Sequence, residues 1–152
     1  MKTFLSVDRR LLNPQAIENV ELKVAVPTKD TKNNPLFIQD MPWEIRIDNG
    51  YPNVIYDSRE QIFHCYYTLF IEDKDTEGTT LQERTQRNYR PRMDRVISLA
   101  YARSKDGIHW EKPSLGLVDW RGSKKNNLLF RYAHGTGVML DEQDKDAGRR
   151  FK

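Results

Sequence analysis

Residues 53–72, NVIYDSREQIFHCYYTLFIE, contain two apolar runs rich in β-branched and aromatic residues, separated by the polar break SREQ. This constrains the fold more than any other feature, because runs of this composition bounded by polar turns read as strands, and a short break between two of them reads as a hairpin. NVIYD is therefore expected to pair with IFHCYYTLFIED.

The same punctuation recurs along the chain. Asn49-Gly50 and Tyr51-Pro52 mark a turn ahead of the first hairpin. Asp106-Gly107 marks another, with VISLAYARS and IHWEK as the expected arms of a second hairpin. His64 and His109 fall within these strand patterns and read as structural. The stretch NLLFRYAHGTGVMLDEQDKDAGRRFK offers two further strands, an acidic turn and the start of another strand. Residues 73–94 contain almost no apolar side chain and are expected to form a long surface loop. Residues 1–40, with FLSVDRRLL, VELKVAV, Pro14, Pro27 and Pro35, read as lead-in strands and loops, and residues 41–152 as the main domain. Helical periodicity is weak throughout, with one short candidate at residues 13–19. The expectation is an all-β chain, and this pattern alone leaves sandwich, barrel and propeller open.

Composition removes several function classes. Hydrophobic residues make up 38% and charged residues 31%, as in a polar globular domain. No run approaches the roughly 18 apolar residues of a membrane helix, so no membrane partner is expected. MKTFLSV imitates the start of a signal peptide, but Asp8, Arg9 and Arg10 end its apolar run early. As written the chain shows no export signal. A secreted or periplasmic location would require a leader already removed; otherwise the location is cytoplasmic. With 25 basic and 22 acidic residues the charge is too balanced to indicate nucleic acid. The densest basic run, ERTQRNYRPRMDR, is interrupted by acids and reads as a solvated loop. Cys65 is the single cysteine, excluding an internal disulfide, and within its strand it reads as a small buried hydrophobe. No metal-ligand spacing of the H-E-x-x-H type and no phosphate-cradling glycine loop occurs, so neither a metal nor another cofactor is expected.

Three stretches, NPLFIQDMPWE, NGYPNVIYDSREQIFHCYYT and YARSKDGIHWEKPSLGLVDWRGSKKNNLLF, resemble in order and spacing the N-terminal part of bacterial proteins related to glycoside hydrolase families 32 and 43. The resemblance covers nearly the whole chain. It implies a five-bladed β-propeller in which the S-x-D-G-x-x-W-x-K-P element is the outer hairpin of a blade, with Trp110 folded back over the turn as a packing residue. At about four strands per blade, the chain would hold roughly one and a half to two blades, an incomplete propeller. Open sheet edges of such a sector invite pairing with a second copy, so self-association is expected.

The resemblance also nominates a site. Propeller glycosidases carry carboxylates on inner strands around a central funnel, and glycoside hydrolysis generally uses two. The family's first acid precedes a Pro-Asn strand. Here Tyr51 stands directly before Pro52 and Asn53, where relatives have the aspartate, and Asp48 is the nearest acid. The alternative for Asp48-Asn49-Gly50 is plain turn chemistry. The second constellation is AHGTG: His134 as a hydrogen-bonding or acid/base group and Thr136 between two glycines, which permit close approach of a ligand. Trp43, Tyr51 and Trp120 are candidates to stack on a sugar ring, Trp43 foremost, with core packing as the competing role. The acids in DEQDKD lack the glycine and glutamate of a calcium loop and read as a solvated turn.

Two functions follow from these readings. One is a glycoside hydrolase fragment cleaving O-glycosidic bonds of oligo- or polysaccharides, with Asp48 and His134 as catalytic groups and Trp43, Tyr51, Asn53 and Thr136 contacting the sugar. The other is a non-catalytic carbohydrate-binding or assembly module. Carbohydrate is the expected partner in both.

Overall fold

Alternation along IFHCYYTLFIE places Cys65, Tyr67, Leu69 and Ile71 on one face of a strand, and all four are buried. The computed structural model describes residues 26–47, 49–88 and 93–152. Residues 32–152 form one compact unit, distinct from residues 1–31. The expected strands FLSVDRRLL and VELKVAV and the helical candidate at 13–19 lie outside the described residues, apart from Val26.

The unit is built on a four-stranded antiparallel sheet, β1 (Asn53–Asp57), β2 (Ile62–Glu72), β3 (Val96–Ser104) and β4 (Leu128–Arg131), whose spatial order follows the sequence. The all-β expectation stands in this coarse form. The first hairpin forms as read, with Asn53 opposite Tyr66 and Asp57 opposite Ile62. Among the described residues, no helix is long and apolar enough to cross a membrane.

Both faces of the sheet are covered, which explains the near-continuous apolar run of β2. On one face, Cys65, Tyr67, Leu69 and Ile71 join Ala100, Ala102, Leu128 and Val118, with Phe37, Trp43, Trp110 and Trp120 packed against them. Cys65 is a buried hydrophobe, and burial pushes its thiol up to about 11. The other face carries His64, Tyr66, Thr68 and Phe70, and Phe151 lies against His64 and Tyr66.

A buried polar network ties residues 38–44 to the sheet. The Glu44 carboxylate accepts from the Tyr67 hydroxyl at 2.7 Å, from the Asp40 and Met41 amides, and from Lys112 Nζ at 2.8 Å. The Asn127 amide group donates to the Tyr67 hydroxyl and the Tyr101 carbonyl, and its Oδ1 accepts from Trp43 Nε1 at 2.7 Å. Burial beside Glu44 pushes the Tyr67 hydroxyl far up, so it serves as a fixed donor. With its donors and acceptors matched, this network is structural.

Three expectations need correction. IHWEK is not a second strand: of its residues only Glu111 pairs, bridging Arg103 of β3. Side chains take up the intervening amides. Ser104 Oγ accepts from the Asp106 and Gly107 N–H groups, and Asp106 Oδ1 accepts from those of Ile108 and His109. That widens the turn past hairpin geometry, Gly107 sits at φ 74°, and Pro113 offers no N–H to resume pairing. The neighbour of β3 on the side away from β2 is therefore β4, and His109 belongs to an exposed bend where it pairs with Asp106 at 2.7 Å. Trp110 does fold back over the turn, its indole N–H donating to the Gly107 carbonyl at 3.2 Å.

The second correction concerns residues 73–94, which include a helical turn, α1 (Leu81–Thr85). Thr80 and Glu83 form a capping box, a T-x-x-E signature legible in TLQE. Third, the expected strand after β4 is reduced to a single bridge, Leu140 to Phe151. There Lys152 pairs with both Asp141 and Asp144, and Asp146 caps a short 3-10 helix, Ala147–Arg149. DEQDKD is a turn held by Lys152.

Candidate functional site

After β4 the chain turns through Tyr132, at φ 62°, and Gly135, at φ 60°, and comes back to β1. Contacts then follow in the same order along both segments. The His134 ring meets the Tyr51 ring edge-on at 5.1 Å. Asn53 Oδ1 accepts from the Val138 amide. Ser58 Oγ donates to Glu142 Oε1 at 3.1 Å, and Arg59 Nη2 donates to the Glu142 carbonyl at 2.6 Å. Residues 134–142 thus run beside β1 in its own direction.

Beside His134 lies a shallow depression of about 240 Å³, lined also by Phe70, Met93, Arg95 and Ile97. The Arg95 guanidinium sits over the Phe70 ring at 4.8 Å, and that of Arg46 at 5.2 Å. The lining combines apolar surface, a cationic group and an imidazole. It includes no carboxylate among the described residues. His134 is exposed where it lines the depression, and the Tyr51 ring beside it is exposed too.

Of the residues nominated from sequence, Tyr51, Asn53, His134 and Thr136 come together. Asn53 bonds the neighbouring backbone, and half-buried Thr136 lies on the returning segment. Tyr51 holds φ 41°, uncommon for a bulky residue, and the preceding Gly50 carbonyl accepts from the Thr68 amide at 2.6 Å. Asp48 lies outside the described residues. Trp43 is not brought to this site. It packs against the opposite face of the sheet, edge-on to Trp120 at 6.4 Å. Trp120 is likewise committed there, its indole N–H donating to the Ile71 carbonyl.

A second constellation, at the far end of β1, was not read from the sequence. Asp57 is fully buried, and both its oxygens accept from Arg150 Nη2, at 2.9 and 2.8 Å. Its Oδ1 also accepts from the Arg59 and Glu60 amides. Burial raises the Asp57 carboxyl, but Arg150 and the two amides outweigh it and hold the group below the usual carboxylate range. His64 stands on the same face of the hairpin, with Nδ1 2.8 Å from the Tyr101 hydroxyl. Burial pushes its imidazole down, against the opposing pull of Glu60 and Asp57. The available signal was the spacing D-x-x-E-x-x-x-H across a hairpin turn; the contribution of Arg150 has no local signature.

No family model, curated protein or solved structure gave a match to this chain.

Proposed function

We propose that the chain is the opening sector of a glycoside hydrolase-like propeller and that it holds carbohydrate at the edge formed by Tyr51 and His134. The observation that carries this reading is the path of residues 134–142. After four strands in sequential order, the chain returns beside β1 and runs in the same direction. A radial assembly starts each new blade in this way, with inner strands lining a common axis. Tyr51 offers an exposed aromatic face to an apolar sugar face, and His134 offers a ring nitrogen to a hydroxyl. The resemblance of the sequence to families 32 and 43 assigns that axis to a sugar funnel.

In the hydrolytic form of this reading, Asp48 supplies one carboxylate and His134 assists proton transfer. Glycoside hydrolysis generally needs two carboxyl groups, and the sequence nominates one, Asp48. This favours binding over bond cleavage for the chain by itself, the second reading. Two assays separate them. Release of the aryl group from a panel of aryl glycosides, abolished by Asp48→Asn, supports catalysis. Calorimetric binding of oligosaccharides without turnover supports the module. Neither turnover nor binding across both panels removes the sugar assignment.

A further inference from the structure

We propose that Asp57, Glu60 and His64 form a binding site for a divalent cation of the zinc class. Each offers one ligand atom, and these atoms lie within 4.8 Å of one another. The observation that points to a ligand is the imidazole. His64 is only 7% exposed, and its Nε2 is buried without a hydrogen-bond partner among the described residues. Nδ1 is held by the Tyr101 hydroxyl at 2.8 Å. One ring nitrogen fixed by a neighbour and the other open is the arrangement of a metal-ligating histidine, because the outer bond sets the tautomer and orients the ring. A neutral buried imidazole with no partner otherwise forfeits the solvation of that nitrogen.

Asp57 retains capacity for the ion. Its Oδ1 is occupied by Arg150 and two backbone amides, whereas Oδ2 accepts only from Arg150, leaving a lone pair on that oxygen. Glu60 is exposed on the turn between β1 and β2; its amide bonds Asp57, and among the described residues no side-chain bond restrains its carboxylate from closing over the other two. One nitrogen and two carboxylate oxygens suit zinc better than calcium or magnesium, which prefer all-oxygen shells. Three protein ligands leave a fourth position for water. The neighbouring Arg150 charge opposes the cation, so the affinity belongs in the micromolar range rather than the nanomolar range of a structural zinc site. The site lies at the opposite end of β1 from Tyr51, and its success or failure is independent of the sugar reading.

The test is a zinc titration of the full chain in competition with a chromophoric chelator, with Glu60→Gln and His64→Gln run beside it. The proposal requires saturable uptake of one zinc ion per chain, weakened by about tenfold or more in each variant. Glu60 is exposed, so Glu60→Gln folds whatever becomes of the buried His64 variant, and circular dichroism verifies both. Unchanged zinc affinity in Glu60→Gln, or no uptake by the wild type, overturns it.

Discussion

Replacing Arg150 by methionine removes the guanidinium that faces Asp57 while keeping most of the aliphatic volume. Asp57 is fully buried and Arg150 nearly so, and both carboxylate oxygens use the same Nη2. Breaking a buried pair from one side costs about 3 to 5 kcal/mol because a charge is left uncompensated. A ceiling comes from the alternative of neutralising Asp57. At neutral pH, protonating a carboxyl whose ordinary value is 3.8 costs about 4 kcal/mol. The amides of Arg59 and Glu60 still serve the carboxylate, so the expected loss is about 3 to 4 kcal/mol, or roughly 10 °C in Tm for a chain of this size. Chemical denaturation and thermal melts followed by circular dichroism measure it. The paired substitution Asp57→Asn with Arg150→Met should recover more than half of the loss, since no charge is then stranded. The pH dependence has a definite sign. The folded-state pKa of Asp57 is depressed, so its stabilisation is complete above 3.8 and is lost as pH falls through the folded value. The gap between wild type and Arg150→Met should therefore narrow in acid. A Tm change within error for the single variant, or a double variant no better than the sum of the singles, refutes the reasoning.

Asn127→Ala should cost about 1 to 3 kcal/mol in denaturant titrations, because it removes the acceptor of the part-buried Trp43 N–H and the amide that donates to the Tyr67 hydroxyl and the Tyr101 carbonyl; a loss below 0.5 kcal/mol, about the size of a neutral surface change, contradicts the network's structural role. Cys65, with its thiol pushed up to about 11, should resist a thiol reagent at neutral pH until the sheet unfolds, and prompt modification of the native chain would show the strand to be more open than described. The outer edge of β4, where Phe130 is exposed, should pair with a second copy, so light scattering at micromolar concentration should report a dimer or larger species, and a clean monomer counts against edge pairing.

The strands were legible where periodicity and turn chemistry agreed. NVIYD and IFHCYYTLF gave the β1–β2 hairpin in the correct pairing, because alternation set the buried face and SREQ set the turn. IHWEK failed for a reason present in the sequence but misread. Ser104 and Asp106 are turn formers twice over, and together they absorb the amides a hairpin arm would use. The capping box in TLQE was likewise legible, yet the polar character of residues 73–94 hid it. At the site, Tyr51 and His134 were nominated separately and are neighbours, whereas Trp43 could not be told from a core residue until its indole was seen bonded to Asn127. The Asp57–Arg150 pair spans residues 93 positions apart, and no local pattern encodes a contact at that separation.

The claim that Tyr51 and His134 together form a sugar edge is tested most directly by calorimetric titration of the full chain with an oligosaccharide series, beside Tyr51→Ala and His134→Ala. Both side chains are exposed, so either variant keeps the fold. The account predicts saturable binding of at least one oligosaccharide and a loss of about tenfold or more in affinity for Tyr51→Ala, on the scale of a lost aromatic contact. Binding of equal strength in wild type and both variants, or no heat from any sugar with the wild type, contradicts it.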